Sequence, residues 1–547
     1  MTDTTLTLID VRRVQNYLFN ANELKQNIGA SALVEQATHE WIFDALPPDR
    51  NANWNKQKYR VDFDDRAIEK DNLKAEVIFM GGGNAAILFV SHSEAEDFTK
   101  KFTEHLLVNA PGLDVAVAHV DDVDLSSAGS LRNAWQTMQE SAMPKQKEGR
   151  LVSKSILGLS VTAECAYTGL PAVAEVPKGE GDNRILLSAQ SYAKQTSPTV
   201  QAAKARLGAL LNIEGFDYPS DFDDLGGEHG SSRFIAVVHA DGNGMGQRFK
   251  AWTEHDDNRE MIRHMREFSQ AVNQIGMNAL QSVRDYLALG IHVADDKKRS
   301  YQISDRFDPG QSVRLKNNNL PVRPLVFGGD DITFVCEGRL GLALAAKFLQ
   351  AFSNADLPDG KKAFACAGVA IVHSHYPFAR AYALAEELCQ DAKQQARIWD
   401  PEKKEKGSGN RLSLLNWHIT TSGLTLDWNQ IKKREFKDGS LLLRPLIITK
   451  IDEAAAPAWQ TWETFVEQVS GFRSDKWKTQ RNKQKDMREV LRKGSEQTRK
   501  FTSQNGNLPL VASAPSGANQ TGWTEKQCLY FDALEAMDVF VYPKEMA

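Results

Sequence analysis

The chain has 547 residues, 41% hydrophobic and 25% charged, with a mean hydropathy of −0.43 and a formal net charge of −5. That length predicts several domains rather than one core, and the slightly acidic balance excludes nucleic-acid binding driven by overall charge, leaving only a local basic patch for it. Five scattered cysteines (Cys165, Cys336, Cys366, Cys389, Cys528) without a CxxC pair argue against a disulfide framework or a self-contained zinc site and fit a reducing compartment. The charged N-terminus MTDTTLTLIDVRRVQ lacks the apolar run of a signal peptide. No stretch approaches the roughly 18 apolar residues of a membrane span, so a cytoplasmic protein without membrane contact is expected.

The first segment opens with a strand over Leu6 to Val11 that carries Asp10. A long helical pattern from Val14 to about Leu46 follows and ends at the Pro47-Pro48 breaker. Ala75 to Val90 gives two apolar runs around Gly81-Gly82-Gly83-Asn84, a hairpin with a glycine turn. A helix from Ser93 to about Asn109 and a strand over Leu113 to Val120 close the unit. Between 122 and 230 the pattern loosens, with Gly, Ser and Pro in CAYTGLPAVAEVPKGEGDN and an exposed acidic loop, SDFDDLGGEHGSS. From Arg233 the order recurs: a buried strand FIAVVHADG, a helix from about Asn258 to Leu289, the hairpin PLVFGGDDITFVCEG, a helix from Leu340 to about Phe352, the strand FACAGVAIVH, and a helix from Pro377 to about Arg397. Beyond about 455 the chain reads as helical, and it is basic between Arg473 and Lys500.

The repeated order is a divergent internal duplication. It predicts an α+β protein with two ferredoxin-like palm domains, a small intermediate domain and a C-terminal helical domain. The expected boundaries are 1–121 for a degenerate first palm, 122–230 for the intermediate domain and linker, 231–420 for a catalytic second palm, and 421–547 for the helical part.

Asp241 falls at the end of the first strand of the second palm, and Asp330 and Asp331 fall at its hairpin turn. Three carboxylates at buried strand ends repel one another unless cations intervene. Joining a nucleotide 3′-hydroxyl to an α-phosphate needs two divalent ions about 4 Å apart, and hard ions such as Mg²⁺ take carboxylate oxygens. Asp241, Asp330 and Asp331 are therefore the expected catalytic and metal-holding residues, with two Mg²⁺ or Mn²⁺ ions. Gly328 and Gly329 permit a tight turn and a close phosphate approach. Gly242, Asn243 and Gly244 are expected to present backbone N–H groups to a triphosphate at a helix start.

On FIAVVHADGNGMG, VFGGDDITFV and AGVAIVHSHYPFARAYALAEELCQDAK, the chain resembles the large polymerase-like subunit of type III CRISPR effector complexes, distant relatives of the GGDEF cyclases. IDVRRVQNYLFNA and FMGGGNAAILF resemble that family's degenerate first palm, and the resemblance covers about residues 5 to 420. It implies conversion of ATP into a cyclic oligoadenylate or a cyclic dinucleotide for antiviral signalling. It also implies that Lys393 reaches the triphosphate, a reading that stands beside that of a solvated helix-end lysine. RNA or other CRISPR or defence subunits are implied partners, and a homo-oligomer is left open.

Several departures qualify the resemblance. Gly83-Asn84 stands where the first palm would carry its carboxylate pair, so that palm is expected to hold no metal pair, although Asp10 remains; it completes a pocket for a second nucleotide or is purely structural. Asn243 replaces an Asp found in many relatives. Only Cys165 is left of a zinc-binding set, so no structural zinc is expected, and no HD nuclease motif precedes the first palm. His373 and His375 read as hydrogen-bonded loop residues rather than metal ligands. The basic run SDKWKTQRNKQKDMREVLRK reads equally as an RNA-facing surface and as a solvated helix face. The alternatives to an ATP-using synthetase are a catalytically silent RNA-binding scaffold subunit and, third, a diguanylate-cyclase-like enzyme; GGDDI and the absence of an RxxD site before Gly328 count against the last.

Overall fold

The structure, a computed structural model, describes residues 4–149, 161–178, 183–226, 234–295, 300–308, 310–400, 411–420, 427–437, 439–451 and 454–544. Its contacts divide the chain into two units. The first holds 1–212, 246–274 and 357–359, and the second holds 213–245, 275–356 and 360–547. The acidic loop expected at 220–232 lies outside the described residues from 227 onward; its first part forms a short 3-10 turn, Phe222–Asp224.

In the first unit, strands Thr4–Arg12, Ala75–Gly81, Asn84–Phe89 and Asp114–Val123 form a four-stranded antiparallel sheet. From one edge, the order is outer hairpin strand, inner hairpin strand, first strand, last strand. Helix His92–Asn109, capped by Ser91 accepting from the Glu94 N–H, packs on it. Alternate residues of these strands point inward, so Leu6, Leu8, Ile78, Ala86, Leu88, Ala116 and Ala118 bury one face together with Met261, Ile262 and Met265. The single helix expected over 14–46 is three helices, Val14–Leu18, Leu24–Thr38 and Glu40–Ala45. The first ends where the buried Lys194 ammonium takes the Tyr17 carbonyl at 2.6 Å and the Asn20 side-chain oxygen at 3.0 Å, a cation satisfying a helix C-terminus. The second break falls at His39, whose backbone leaves helical geometry (φ −133°, ψ −81°) and whose ring packs on Trp54 with centroids 4.7 Å apart.

The second unit repeats that order around strand Phe234–Gly242, hairpin strands Val322–Val326 and Ile332–Glu337, and last strand Ala365–His373. Here the sheet grows to six strands. Leu412–Ile419 pairs parallel to Ala365–His373, and Leu446–Lys450 pairs antiparallel beyond it. All eight residues of LSLLNWHI are buried, the pattern of a strand covered on both faces. Helices Gly341–Ser353 and Phe378–Trp399 pack on this sheet. The second of them buries Cys389, Ala392, Ala396 and Trp399 against Cys366, Leu412, Leu414 and Ile447. The C-terminal part is mainly helical, as expected. In it, helix Arg481–Lys493 buries Gln484, Met487 and Leu491 and leaves Arg481, Lys485 and Lys493 exposed.

Candidate active site

Asp241 is the penultimate residue of Phe234–Gly242, a strand paired antiparallel on both sides, with Ile332–Glu337 and with Ala365–His373. Ala240 faces Ile332 in the ladder, so one residue further the register sets Asp331 opposite Asp241. The turn of the hairpin runs through 327–332 between the paired Val326 and Thr333. Gly328 (φ 144°) and Gly329 (φ 88°) take positive φ there, which a side chain would strain. The Asp330 carbonyl accepts from the Gly242 N–H at 3.2 Å, which ties the turn to the strand end. A Cβ on Gly242 would lie 2.7 Å from the Asp330 Cβ and 2.9 Å from its Oδ2, so the carboxylate stands directly on bare backbone. Gly276, within helix Asn258–Gly290, meets the turn from another side: a Cβ there would fall 2.3 Å from the Gly329 carbonyl oxygen.

The electrostatics are those of crowded acids. Burial, then the charge of Asp241 and that of Asp331, push the Asp330 carboxyl up to about 7, against the pull of Lys393. Asp331 is pushed up to about 7 by burial, Asp241 and Glu386, again opposed by Lys393. Lys393 is 7% exposed. Its ammonium forms an ion pair with Asp241 Oδ2 and donates to the Gly242 carbonyl at 2.8 Å. Burial alone would weaken its hold on the proton, but Asp241 outweighs that and its pKa is raised. Lys393 is thus no solvated helix-end residue.

Two neighbours were not singled out by the sequence. The His239 ring, 3% exposed, places Nδ1 3.4 Å from Asp331 Oδ1 and 3.3 Å from the Thr333 hydroxyl. Burial lowers its pKa against the pull of Asp241, so the imidazole is neutral. Glu386 lies two helical turns before Lys393 on Phe378–Trp399 and acts electrostatically on Asp331, His239 and Tyr382. Both had a periodic signal: His239 shares a strand face with Asp241, two residues away, and Glu386 shares a helix face with Lys393.

The expected backbone cradle at Gly242 and Asn243 needs correction. The Gly242 N–H is bonded to the Asp330 carbonyl and the Asn243 N–H to the Phe364 carbonyl at 2.8 Å. The Asn243 side chain is buried and donates to the Leu412 carbonyl at 2.8 Å. The strand end is closed by its own sheet, so these donors are already engaged. Gly244 (φ 66°) follows as the turn into helix Met245–Thr253. His373 stacks on Phe234, ring centroids 4.3 Å apart, and His375 is exposed.

The donor set fits a hard divalent ion: three carboxylates meet at one sheet end, and Asp331 Oδ1 is buried without a hydrogen-bond partner. As the side chains stand, however, no group of three or more His, Cys, Asp or Glu among the described residues is arranged to hold an ion. The first palm offers a comparison. Asp10 faces Asn84 across the ladder, the place that register gives Asp331 opposite Asp241. Asp10 Oδ2 is paired with the Lys147 ammonium, as Asp241 is with Lys393.

A strand-end aspartate, an acidic hairpin turn and a buried lysine on the last helix meet at one end of a ferredoxin-like sheet, the layout of a palm domain. Residues 234–398 match the model of the Cas10/Cmr2 family, second palm domain. The whole chain has the fold of solved Csm1 structures. A Csm1-Csm4 cassette in complex with cA3 matches with a TM-score of 0.53 at 12% identity, covering 99% of this chain and 70% of that one. The cassette in complex with pppApApA gives 0.52 at 12% identity over 98% and 69%. Csm1 of T.onnurineus gives 0.51 at 13% identity over 98% and 70%. A search of the curated proteins finds no match. No helix among the described residues is long and apolar enough to cross a membrane.

Proposed function

We propose that the chain is the large subunit of a type III CRISPR-type effector and joins ATP into a cyclic oligonucleotide, an oligoadenylate or a cyclic dinucleotide, at its second palm. The observation that carries this reading is the meeting of Asp241, Asp330 and Asp331 with the buried Lys393 at one strand end. Support comes from the family match over 234–398 and from the folds of Csm1-Csm4 cassettes solved with pppApApA and cA3. Those cassettes also support a second CRISPR subunit as partner.

In this reading a ribose 3′-hydroxyl of one ATP attacks the α-phosphate of another, and pyrophosphate leaves. Asp241, Asp330 and Asp331 would hold two Mg²⁺ or Mn²⁺ ions, which supply charge neutralisation and a more acidic hydroxyl. Lys393 carries a fixed positive charge to the leaving phosphates. His239, packed in an edge-to-face contact with Tyr382 (centroids 5.4 Å), stands behind Asp331 with Nδ1 3.4 Å from Oδ1. Asp330 and Asp331, with carboxyls near 7, are ionised fully only above neutrality or when a cation joins them. The first palm, with Asn84 opposite Asp10, provides no second set of carboxylates.

A second reading, an RNA-binding scaffold without catalysis, draws on the pairing of Asp241 with Lys393 in place of an arrangement ready for metal. The test incubates the full chain with each nucleoside triphosphate and Mg²⁺ or Mn²⁺ beside an Asp330→Ala/Asp331→Ala variant, with products read by mass spectrometry. Oligoadenylates that vanish in the variant are expected. No product with any metal, with RNA added as well, would leave the scaffold.

A further inference from the structure

We infer that Lys393 is a resident cation for the second-palm site. Its ammonium holds Asp241 in a closed arrangement, and a divalent ion reaches Asp241 only as Lys393 releases it and turns to the triphosphate. This rests on the nucleotidyltransferase reading and goes beyond it, because it makes ion binding and nucleotide binding depend on one another through a single side chain.

Three observations carry it. First, the Lys393 ammonium, nearly sealed from solvent, engages both Asp241 Oδ2 and the Gly242 carbonyl, beside the Asp330 carboxylate that rests on Gly242. Lys393 takes only Oδ2 of Asp241, but an ion bound at either oxygen of that carboxylate would lie within a few ångströms of the buried ammonium, and like charges that close repel strongly, so the arrival of the ion drives the ammonium off. Second, the ladder register and the Gly242–Asp330 contact bring Asp330 and Asp331 to the same strand end as the Lys393–Asp241 pair, so an ion held by these acids lies against the ammonium. Third, the first palm keeps the same pair, Asp10 with Lys147, where the ladder partner is Asn84 rather than a carboxylate. A lysine thus sits on the strand-end aspartate in both palms, partly exposed in the first and buried in the second, and only the second has further acids beside it.

The consequence is thermodynamic. A divalent ion alone must displace a charge-assisted contact and strand the buried ammonium without a partner, which costs binding. A triphosphate offers that ammonium new oxygens, so ion and nucleotide each strengthen the binding of the other, reciprocally.

The experiment measures Mn²⁺ binding to the full chain by calorimetry and electron paramagnetic resonance, with and without a non-hydrolysable ATP analogue. It compares the native protein, Lys393→Gln, Lys393→Met and Asp330→Ala/Asp331→Ala. Lys393→Gln is expected to bind Mn²⁺ alone about tenfold more tightly or better, the effect of removing one competing charged contact, and to lose most of the coupling to nucleotide. Equal or weaker Mn²⁺ binding in a folded Lys393→Gln protein overturns the inference. Should both variants fail to fold, the native chain decides. Its Lys393 should be shielded from an amine-acylating reagent, become labelled when Mn²⁺ alone saturates the site, and be shielded again with nucleotide; labelling that ignores Mn²⁺ overturns the inference equally. If the native chain makes product but shows no such exchange, only the role of Lys393 falls. If it neither binds Mn²⁺ nor makes product, the enzymatic reading falls and takes this inference with it.

Discussion

Replacing Gly276 by alanine separates the geometry of the site from the stability of the fold. The new Cβ would sit 2.3 Å from the Gly329 carbonyl oxygen, about 1 Å inside the roughly 3.3 Å at which a carbon and a carbonyl oxygen meet. Gly276 is inside a helix of 33 residues, where alanine is favoured over glycine by about 1 kcal/mol. Overpacking costs about 1–3 kcal/mol. The net loss is therefore about 0–2 kcal/mol, a fall in Tm of no more than several degrees at about 2–4 °C per kcal/mol for a domain of this size. The turn carrying Asp330 and Asp331 must still move by about 1 Å, and a misplacement of that order costs about 100-fold in rate. The assay sets the rate of oligonucleotide formation, read by mass spectrometry, against Tm from scanning fluorimetry. Gly208→Ala serves as control: Gly208 lies in helix Ser197–Leu211 with nothing within 4 Å of an added Cβ, so it should raise Tm slightly and keep the rate. A Gly276→Ala protein with full rate and native Tm would refute the close approach of helix and turn. A rate loss that merely tracks unfolding would refute the positioning argument.

The remaining predictions use the same site and the core behind it. The Asp330 and Asp331 carboxyls are raised from 3.8 to about 7, so the folded state binds their protons more tightly than the unfolded chain does. Stability without divalent ions should therefore fall as pH rises from about 4 through 7. Asp330→Asn/Asp331→Asn should flatten that slope in Tm against pH, and an unchanged slope would count against the crowding of the acids. Glu386→Gln removes a charge that raises the Asp331 carboxyl; the acid limb of the pH–rate profile should move to lower pH, and a limb that stays put would exclude Glu386 from the site. Arg444→Met should cost about 3–5 kcal/mol in denaturant unfolding. It would leave the fully buried Asp532, now 2.9 Å from the Arg444 guanidinium, without its counter-charge, and a loss below 1 kcal/mol would mean that water or repacking reaches that carboxyl.

The two palms were legible because their strands are apolar runs closed by glycine turns and their helices are long and amphipathic; the order of elements and the family resemblance followed from those signals. Strand Leu412–Ile419 carries no alternation, since both its faces are covered, and Leu446–Lys450 is short, so the widening of the second sheet had no periodic signature. The long N-terminal helix was overextended because the breaks at Phe19 and His39 come from tertiary partners, Lys194 and Trp54, and not from Pro or Gly. At the site, the Asp241–Asp330–Asp331 pattern is spelled out in the motifs. Whether Lys393 faced solvent or the acids depended on how the last helix lies on the sheet. Asn243 could not be read as a structural residue, because its partner, the Leu412 carbonyl, belongs to the strand that was not foreseen.

The two hairpins differ in more than their side chains. In the first palm Gly81 and Asn84 are paired, so the whole turn is Gly82-Gly83, both at positive φ (59° and 83°), the geometry of a type I′ turn. The second palm instead spans 327–332 between its paired residues and has room for two carboxylates outside the ladder. Asn84, opposite Asp10, stands where Asp331 stands in the second palm, so one acid is a single substitution away. The other would have to replace Gly83, whose positive φ a side chain strains. Recovering the pair without strain takes a longer turn as well as the right residues, and length is harder to regain than a side chain.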